Sequence, residues 1–387
     1  MRVLILALSL GNGGVARYIE EIAENQSKVG DHVVLLYIGE EDRTDAPGPN
    51  LKVVKVAASG SGLLGKLRSA IDLFSTSMKV IREDKLDTFM GNTPFSNIFG
   101  HMLAITSSRR LRVLRIVHGM WAVEVRDLPE ARKVYGSRLA EKLLPMVAAP
   151  LESWELKRSD IIVAVSDQIR GHILRSTGRN DVSVITAGVN IDKFHPSLDK
   201  KSVRQEIGWG PSLVVLFVGV ICQRKGLDAL IEAASRAIKE IQFELVIVGG
   251  GMELPKYQAA VLEKGYDFIT FAGRIPDDQL IKFYQAADVY CLTSTLEGMP
   301  QTLLEAMSSG LACISTDVGG ISTLIRRGEN GMLISVGDIE TLTGDIVSLL
   351  NNEGARAGMG SKARASVIEE YSWNAVCKRI KELVENT

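Results

Sequence analysis

Glu297 and Glu305 stand eight positions apart in Glu297-Gly298-Met299-Pro300-Gln301-Thr302-Leu303-Leu304-Glu305. A proline three residues after Glu297 suits the first turn of a helix, where its missing N–H costs nothing. Glu297 is then expected in the loop at the helix start, and Glu305 one to two turns inside. A helix N-terminus offers unpaired N–H groups and the positive end of the dipole, which suit a phosphate. One carboxylate could meet a sugar hydroxyl beside a bound diphosphate while the other holds a ribose. An isolated E-x7-E is far more often two solvated glutamates, so the surrounding elements decide.

Those elements alternate as strand, loop and helix. Residues 288–292 read as a buried strand ahead of the acidic segment, and residues 312–316 as another after the break at Gly310. Earlier in the chain, residues 3–8 form a strand that runs into Gly11-Asn12-Gly13-Gly14. An amphipathic helix follows, with Val15, Ile19, Ile22, Ala23 and Val29 near one face, and residues 32–37 form the next strand. The pattern restarts at residues 213–218, with further strands at 243–248 and 268–271. This is the βαβ order of parallel sheets covered on both faces.

A length of 387 residues suggests two domains, and 46% hydrophobic residues can fill both cores. No apolar run is long enough to span a membrane. Residues 3–8 lead into glycines with no cleavage pattern, so they read as a strand and not a signal-peptide core. The four cysteines lack metal-ligand spacing and fit reduced thiols of a cytosolic protein. A net charge of −1 gives no case for nucleic acid. Residues 61–140 nevertheless hold 13 Lys+Arg against 7 Asp+Glu, with Arg109, Arg110, Arg112 and Arg115 among them. A solvated basic face is the plain reading of this excess; a surface for anionic lipid or a phosphorylated acceptor is the sharper one.

The stretch from Ser294 to Gly320 resembles the signature of the retaining family-4 glycosyltransferases of GT-B fold, S-x-x-E-G-x-P-x-x-L-L-E-A-M-A-x-G, then a strand, then G-G. The resemblance runs from the first strand to the last helix. It implies an α/β, GT-B architecture: two Rossmann-like domains facing across a cleft, here 1–190 on the acceptor side and 196–370 for the nucleotide sugar. A helix at 371–387 is expected to return to the first domain. Gly188-Val189-Asn190-Ile191-Asp192-Lys193-Phe194-His195-Pro196 is similar to the family's segment between the halves, with Asn190 where aspartate is commoner.

By the same resemblance, Lys225 of Lys225-Gly226 contacts the donor diphosphate, Glu305 accepts the ribose hydroxyls, and Glu297 contacts the donor sugar. Backbone N–H groups around Thr302, Leu303 and Leu304 meet the phosphates, and Gly298 and Met299 form the donor-side turn before them. Arg274 and Ile275 lie against the base. Gly13-Gly14 lets backbone approach the ligand, and His118 points at the transferred sugar. Ser166 matches a V-S step and is equally a helix cap. Three departures stand out. Val220 replaces an arginine, which leaves Arg224 as the candidate second cation; Thr323 replaces an acidic residue; and Gly249-Gly250-Gly251 replaces G-D-G.

The function expected is transfer of a hexose or N-acetylhexosamine from a nucleotide sugar, with retention, no metal and no other cofactor. The donor is expected to be a UDP-sugar in preference to a GDP-sugar. A glycan, a lipid-linked glycan or a small molecule accepts it, in polysaccharide or glycoconjugate synthesis. The location implied is cytoplasmic, with peripheral contact at the inner face of the plasma membrane through residues 61–140. A nucleotide-sugar epimerase or hydrolase, and a non-catalytic sugar-nucleotide-binding partner of another transferase, are the alternatives.

Overall fold

The computed structural model describes residues 1–7, 14–38, 50–57, 63–123 and 138–387. Gly13 and parts of the basic 61–140 stretch lie outside the described residues. The chain divides into two compact units, Met1–Ala187 with Trp373–Thr387, and Gly188–Ser372.

In the first unit, seven parallel strands run in the order β3-β2-β1-β4-β5-β6-β7 among the described residues. They are β1 (Arg2–Ala7), β2 (His32–Ile38), β3 (Leu51–Val56), β4 (Thr88–Gly91), β5 (Arg112–Val117), β6 (Ile161–Ala164) and β7 (Val182–Val184). Strands covered on both faces need continuous apolar runs, and β1 accordingly buries Val3, Leu4, Ile5, Leu6 and Ala7. The helix Gly14–Lys28 turns Tyr18, Ile19, Ile22 and Ala23 inward, while Val15, expected on that face, is exposed at its edge. The helix Trp373–Glu385 buries Trp373, Val376, Cys377, Ile380 and Val384 at helical spacing. The two helices pack together: the Tyr18 and Trp373 rings meet edge-on at 5.2 Å, and Gln26 Nε2 donates to the Cys377 carbonyl at 3.4 Å. The end of the chain thus completes the unit that its beginning started.

One basic residue is not on the surface at all. Arg115 of β5 is 1% exposed, and its Nε lies 3.1 Å from Glu155 Oε1 on the helix Arg138–Arg158. Asn97 Nδ2 donates to the other Glu155 oxygen. Counting Arg115 with the basic surface was therefore wrong, because a strand inside a doubly covered sheet has no solvent face to offer it.

In the second unit, six parallel strands run in the order β10-β9-β8-β11-β12-β13. They are β8 (Val214–Val218), β9 (Glu244–Val248), β10 (Ile269–Gly273), β11 (Val289–Leu292), β12 (Ala312–Thr316) and β13 (Met332–Ile334). The segment 188–196 is not a free linker. Val189 donates its N–H to the Tyr371 carbonyl at 2.9 Å, and the buried Phe194 ring stands 5.7 Å from Tyr284. An aromatic side chain with a core to enter draws its segment into that core. The strand order reverses between β8 and β11, which pair only at Val215–Val289 and Leu216–Tyr290 before they part. Open α/β sheets place ligands outside the carboxyl ends of the strands at such a reversal. Among the described residues, no helix is long and apolar enough to cross a membrane.

The buried pair of the first unit gives a stability test. Arg115→Met strands the Glu155 carboxylate in the core and is expected to cost about 3–5 kcal/mol, read from urea midpoints. Arg115→Met combined with Glu155→Leu removes both charges and should regain most of that loss. A double variant no more stable than the single would refute the isolated pair as the cause.

Candidate functional site

The loop after β8 is folded against the loop after β11. Gln223–Lys225 makes one 3-10 turn, and Gly226 then takes φ +63°, with a hypothetical Cβ only 2.0 Å from the Thr293 carbonyl oxygen. Only glycine permits that contact. Thr293 Oγ1 donates to the carbonyls of Lys225 and Gly226 at 3.2 and 3.0 Å, and Thr295 N–H donates to the Arg224 carbonyl at 2.7 Å. These bonds turn Lys225 inward, where its Nζ donates to Glu297 Oε1. Ser294 Oγ donates to the same oxygen at 2.6 Å. Arg224, the next residue back, is exposed, and so is Val220.

The helix Gln301–Ser308 starts after Pro300 without a side-chain cap. Leu303 and Leu304 donate their N–H groups to the Pro300 carbonyl at 3.2 and 3.4 Å. Both amides are thus used inside the helix, contrary to their expected place on a phosphate, and both side chains are buried. The amides of Gln301 and Thr302 precede the first intrahelical bond and stand at the open end. Thr302 Oγ1 accepts from Tyr290 OH at 2.8 Å. Glu305 is only 2% exposed, and its Oε2 accepts from Tyr284 OH at 2.9 Å. The Gly298 carbonyl accepts from Gly320 N–H at 2.9 Å, which ties the Gly298-Met299 turn to the glycine pair after β12.

Ile275 packs partly buried on the core of the second unit, and Arg274 is exposed. The Arg274 side chain passes over Gly250, where an added Cβ would lie 3.0 Å from Arg274 Nε. Gly249 takes φ +140°, and its Cβ would stand 1.8 Å from the Gly219 carbonyl oxygen. Gly249 and Gly251 are therefore required by backbone contact, the Cβ of the latter standing 2.0 Å from the Ile221 carbonyl oxygen, whereas a side chain at 250 would meet only the exposed Arg274 side chain. Thr323 is exposed on the short helix Ile321–Leu324.

Gly14 and His118 belong to the first unit. Gly14 opens the helix Gly14–Lys28. His118 follows β5, with Nε2 3.2 Å from Asn92 Oδ1 and its ring edge-on to Tyr18 at 4.3 Å. A carbonyl acceptor selects the tautomer with its proton on Nε2 and leaves Nδ1 as an acceptor. Burial pushes the His118 pKa down to about 3, and the Arg115 charge adds to the effect. Beyond Gly119, the buried Glu152 accepts the N–H groups of Trp121 and Ala122 at 2.9 and 3.0 Å and fixes the chain there. Ser166 caps the helix Asp167–Thr177, accepting Ile169 N–H at 3.3 Å.

Lys225, Glu297 and the Gly298-Met299 turn lie in the loops at the strand reversal, and Thr302 and Glu305 lie on the helix Gln301–Ser308 that follows. Sequence reasoning missed Ser294, Thr293, Tyr284, Asn92 and Tyr18. The S-x-x-E spacing was a usable signal for Ser294, but none of the others is marked by its neighbours in sequence.

His118 should leave a trace in acid. Its unfolded pKa is about 6.5 and its folded value about 3, so below the first the unfolded chain binds a proton that the native ring refuses. The stability present above pH 6.5 is lost as pH falls towards 3. Urea midpoints from pH 7 down to about 4 should fall less steeply in His118→Asn than in wild type. Equal slopes would mean that the ring titrates normally.

Comparison with known proteins agrees with this geometry. A sequence profile described as Glycosyl transferases group 1 matches residues 199–366, and one described as Glycosyltransferase Family 4 matches residues 12–193. Phosphatidyl-myo-inositol mannosyltransferase of Mycobacterium leprae is 30% identical over 274 residues, covering 69% of each chain. GDP-mannose-dependent alpha-mannosyltransferase of Corynebacterium glutamicum is 28% identical over 98% of this chain and 87% of its own. For other curated transferases the match spans as little as 50% of their length. The structure of Anabaena HepE in complex with UDP shares the fold, with a TM-score of 0.79 at 19% identity over 100% of both chains. With a match of this identity and coverage and profiles over both units, the chain belongs to the group 1, family 4 glycosyltransferases and has their GT-B fold.

Proposed function

We propose that the protein transfers a sugar from a nucleotide sugar to an acceptor hydroxyl with retention at the anomeric carbon. The observation that carries this reading is the Lys225–Glu297 contact beside the uncapped start of Gln301–Ser308. A diphosphate at that helix start meets the Gln301 and Thr302 amides and draws Lys225 from Glu297. Glu297 is then released to accept a hydroxyl of the donor sugar. Glu305, oriented by Tyr284, accepts the ribose hydroxyls. Arg274 and Ile275 flank the base, and Arg224 supplies the second cation in place of the arginine that Val220 replaces. His118, uncharged at neutral pH, offers a hydrogen bond to the transferred sugar.

In the reacting step the acceptor oxygen bonds to the anomeric carbon on the face from which the diphosphate leaves. The bond from that carbon to the phosphate oxygen breaks, and the hydroxyl proton passes to the departing phosphate. Lys225 and the helix-end amides stabilise the charge that builds there. No protein nucleophile is needed, and transfer is expected to persist in a chelator. We read the donor as a UDP-sugar and the acceptor as a glycan or lipid-linked glycan, in polysaccharide or glycoconjugate synthesis. HepE was solved with UDP, whereas the Corynebacterium relative is named for GDP-mannose, so the donor base is the point to test. A thermal-shift screen of UDP- and GDP-sugars addresses it, because bound donor raises apparent stability by mass action.

The two carboxylates should separate in calorimetry. Glu305→Ala is expected to weaken nucleoside-diphosphate binding by roughly 1.5–3 kcal/mol. Glu297→Ala should bind the diphosphate at least as well as wild type, since Lys225 is freed, and should lose turnover. Equal diphosphate affinities in the two variants would refute this division.

Arg224→Ala should raise the donor Kd roughly tenfold, and Val220→Arg on that background should restore part of the loss. Unchanged affinity and turnover in Arg224→Ala would assign the second charge elsewhere.

A further inference from the structure

The helix Pro94–Thr106 contains no charged residue. Its inner face is buried through Ser96, Asn97, Gly100, His101 and Leu103. Its outer face presents Phe95, Met102 and Ile105, spaced to form one stripe, and Ile105 is 79% exposed. A surface helix normally sets charged residues opposite its buried face; this one sets apolar residues there instead.

Two neighbouring helices widen the apolar surface. On the helix Leu63–Glu83, Phe74 and Met78 reach Phe99 and Thr106 at 6.3 and 3.6 Å. Leu67 and Ile71 continue that row and are exposed. On the other flank, Met146 and Val147 of Arg138–Arg158 are exposed, and the Trp154 ring stands 6.0 Å from His101.

The edges of this surface are cationic. Lys66 and Arg68 flank Leu67, and the exposed Arg109 and Arg110 follow the end of Pro94–Thr106. The Arg158 guanidinium lies 4.9 Å over the Trp154 ring. An exposed apolar patch edged by arginines, lysines and a tryptophan matches the headgroup region of an anionic bilayer in both polarity and charge. A second copy of the same face would bring cations against cations, which disfavours self-association.

We propose that this face of the first unit docks on anionic lipid. The Phe95–Ile105 stripe enters the headgroup layer, and the flanking cations bind lipid phosphates. Phe95 also packs 5.2 Å from the Trp121 ring, three residues past His118, so docking would bring the His118 loop towards the bilayer. That last consequence rests on the proposed transferase reading; the docking itself does not.

The test is co-sedimentation of the full chain with vesicles of phosphatidylcholine, alone or mixed with phosphatidylglycerol. Binding is expected on the mixed vesicles at low ionic strength and should fade with salt. Met102→Ser with Ile105→Ser, and separately Arg109→Glu with Arg110→Glu, should each lower binding at least roughly tenfold. All four positions are exposed, so an unchanged Tm is expected and confirms folding. The proposal is overturned if wild type fails to bind at low salt, if the variants bind as wild type does, or if neutral vesicles bind equally well. A dimer abolished by Met102→Ser with Ile105→Ser, without vesicle binding, would assign the face to a second copy. Donor affinity by thermal shift should be unaltered in these variants, which keeps failure of docking distinct from failure of the catalytic reading.

Discussion

Parallel strands cannot be joined by tight turns, so each strand of these sheets is followed by a crossover that returns the chain to the same end. Where strand order reverses, the crossovers on either side leave for opposite faces, and the two loops between them have no helix above. In the second unit this happens between β8 and β11, which share two residue pairs and then separate. Thr293 is the residue that makes this opening a defined site. Its hydroxyl holds two carbonyls of the facing loop, while Gly226 admits its own carbonyl at a distance no side chain would allow. Lys225 and Glu297 are brought together because the backbone on both sides is pinned.

Two of the ion pairs among the described residues serve different ends. Arg115 and Glu155 are sealed in the first unit and surrounded by partners that satisfy them. Breaking that pair exposes neither group to water, so the full desolvation penalty remains. Lys225 and Glu297 lie in loops that are only partly closed. On the proposed reading, a diphosphate bound there would replace one anion with a more highly charged one, and Lys225 would change partner while remaining paired.

His118 follows a related logic. Burial holds the ring uncharged, and Asn92 sets which nitrogen carries the proton. A neutral imidazole with a fixed tautomer is a directional hydrogen-bonding group rather than a proton carrier near neutral pH. Glu152, by holding the Trp121 and Ala122 amides, keeps the loop beyond it in one conformation.

Much of this was legible in the sequence, and the reason is periodicity. Continuous apolar runs placed β1, β2, β8, β9, β10, β11 and β12 to within a residue or two, while the remaining strands were not placed from them. Pro300 marked the helix start, with Glu297 in the loop before it and Glu305 inside the helix, because those features are local. What lay across space was not legible. Tyr284 reaches Glu305 from another helix, Thr293 grips Lys225 across the strand reversal, and Phe194 pulls an apparent linker into the second core. Arg115 looked like surface charge until its strand was seen to be covered on both faces. The exposure of Phe95, Met102 and Ile105 likewise depends on which helices lie beside theirs. A sequence records which side chains are apolar or charged and how often they recur. Which of them find a partner depends on packing between distant segments, and only the tertiary structure decides that.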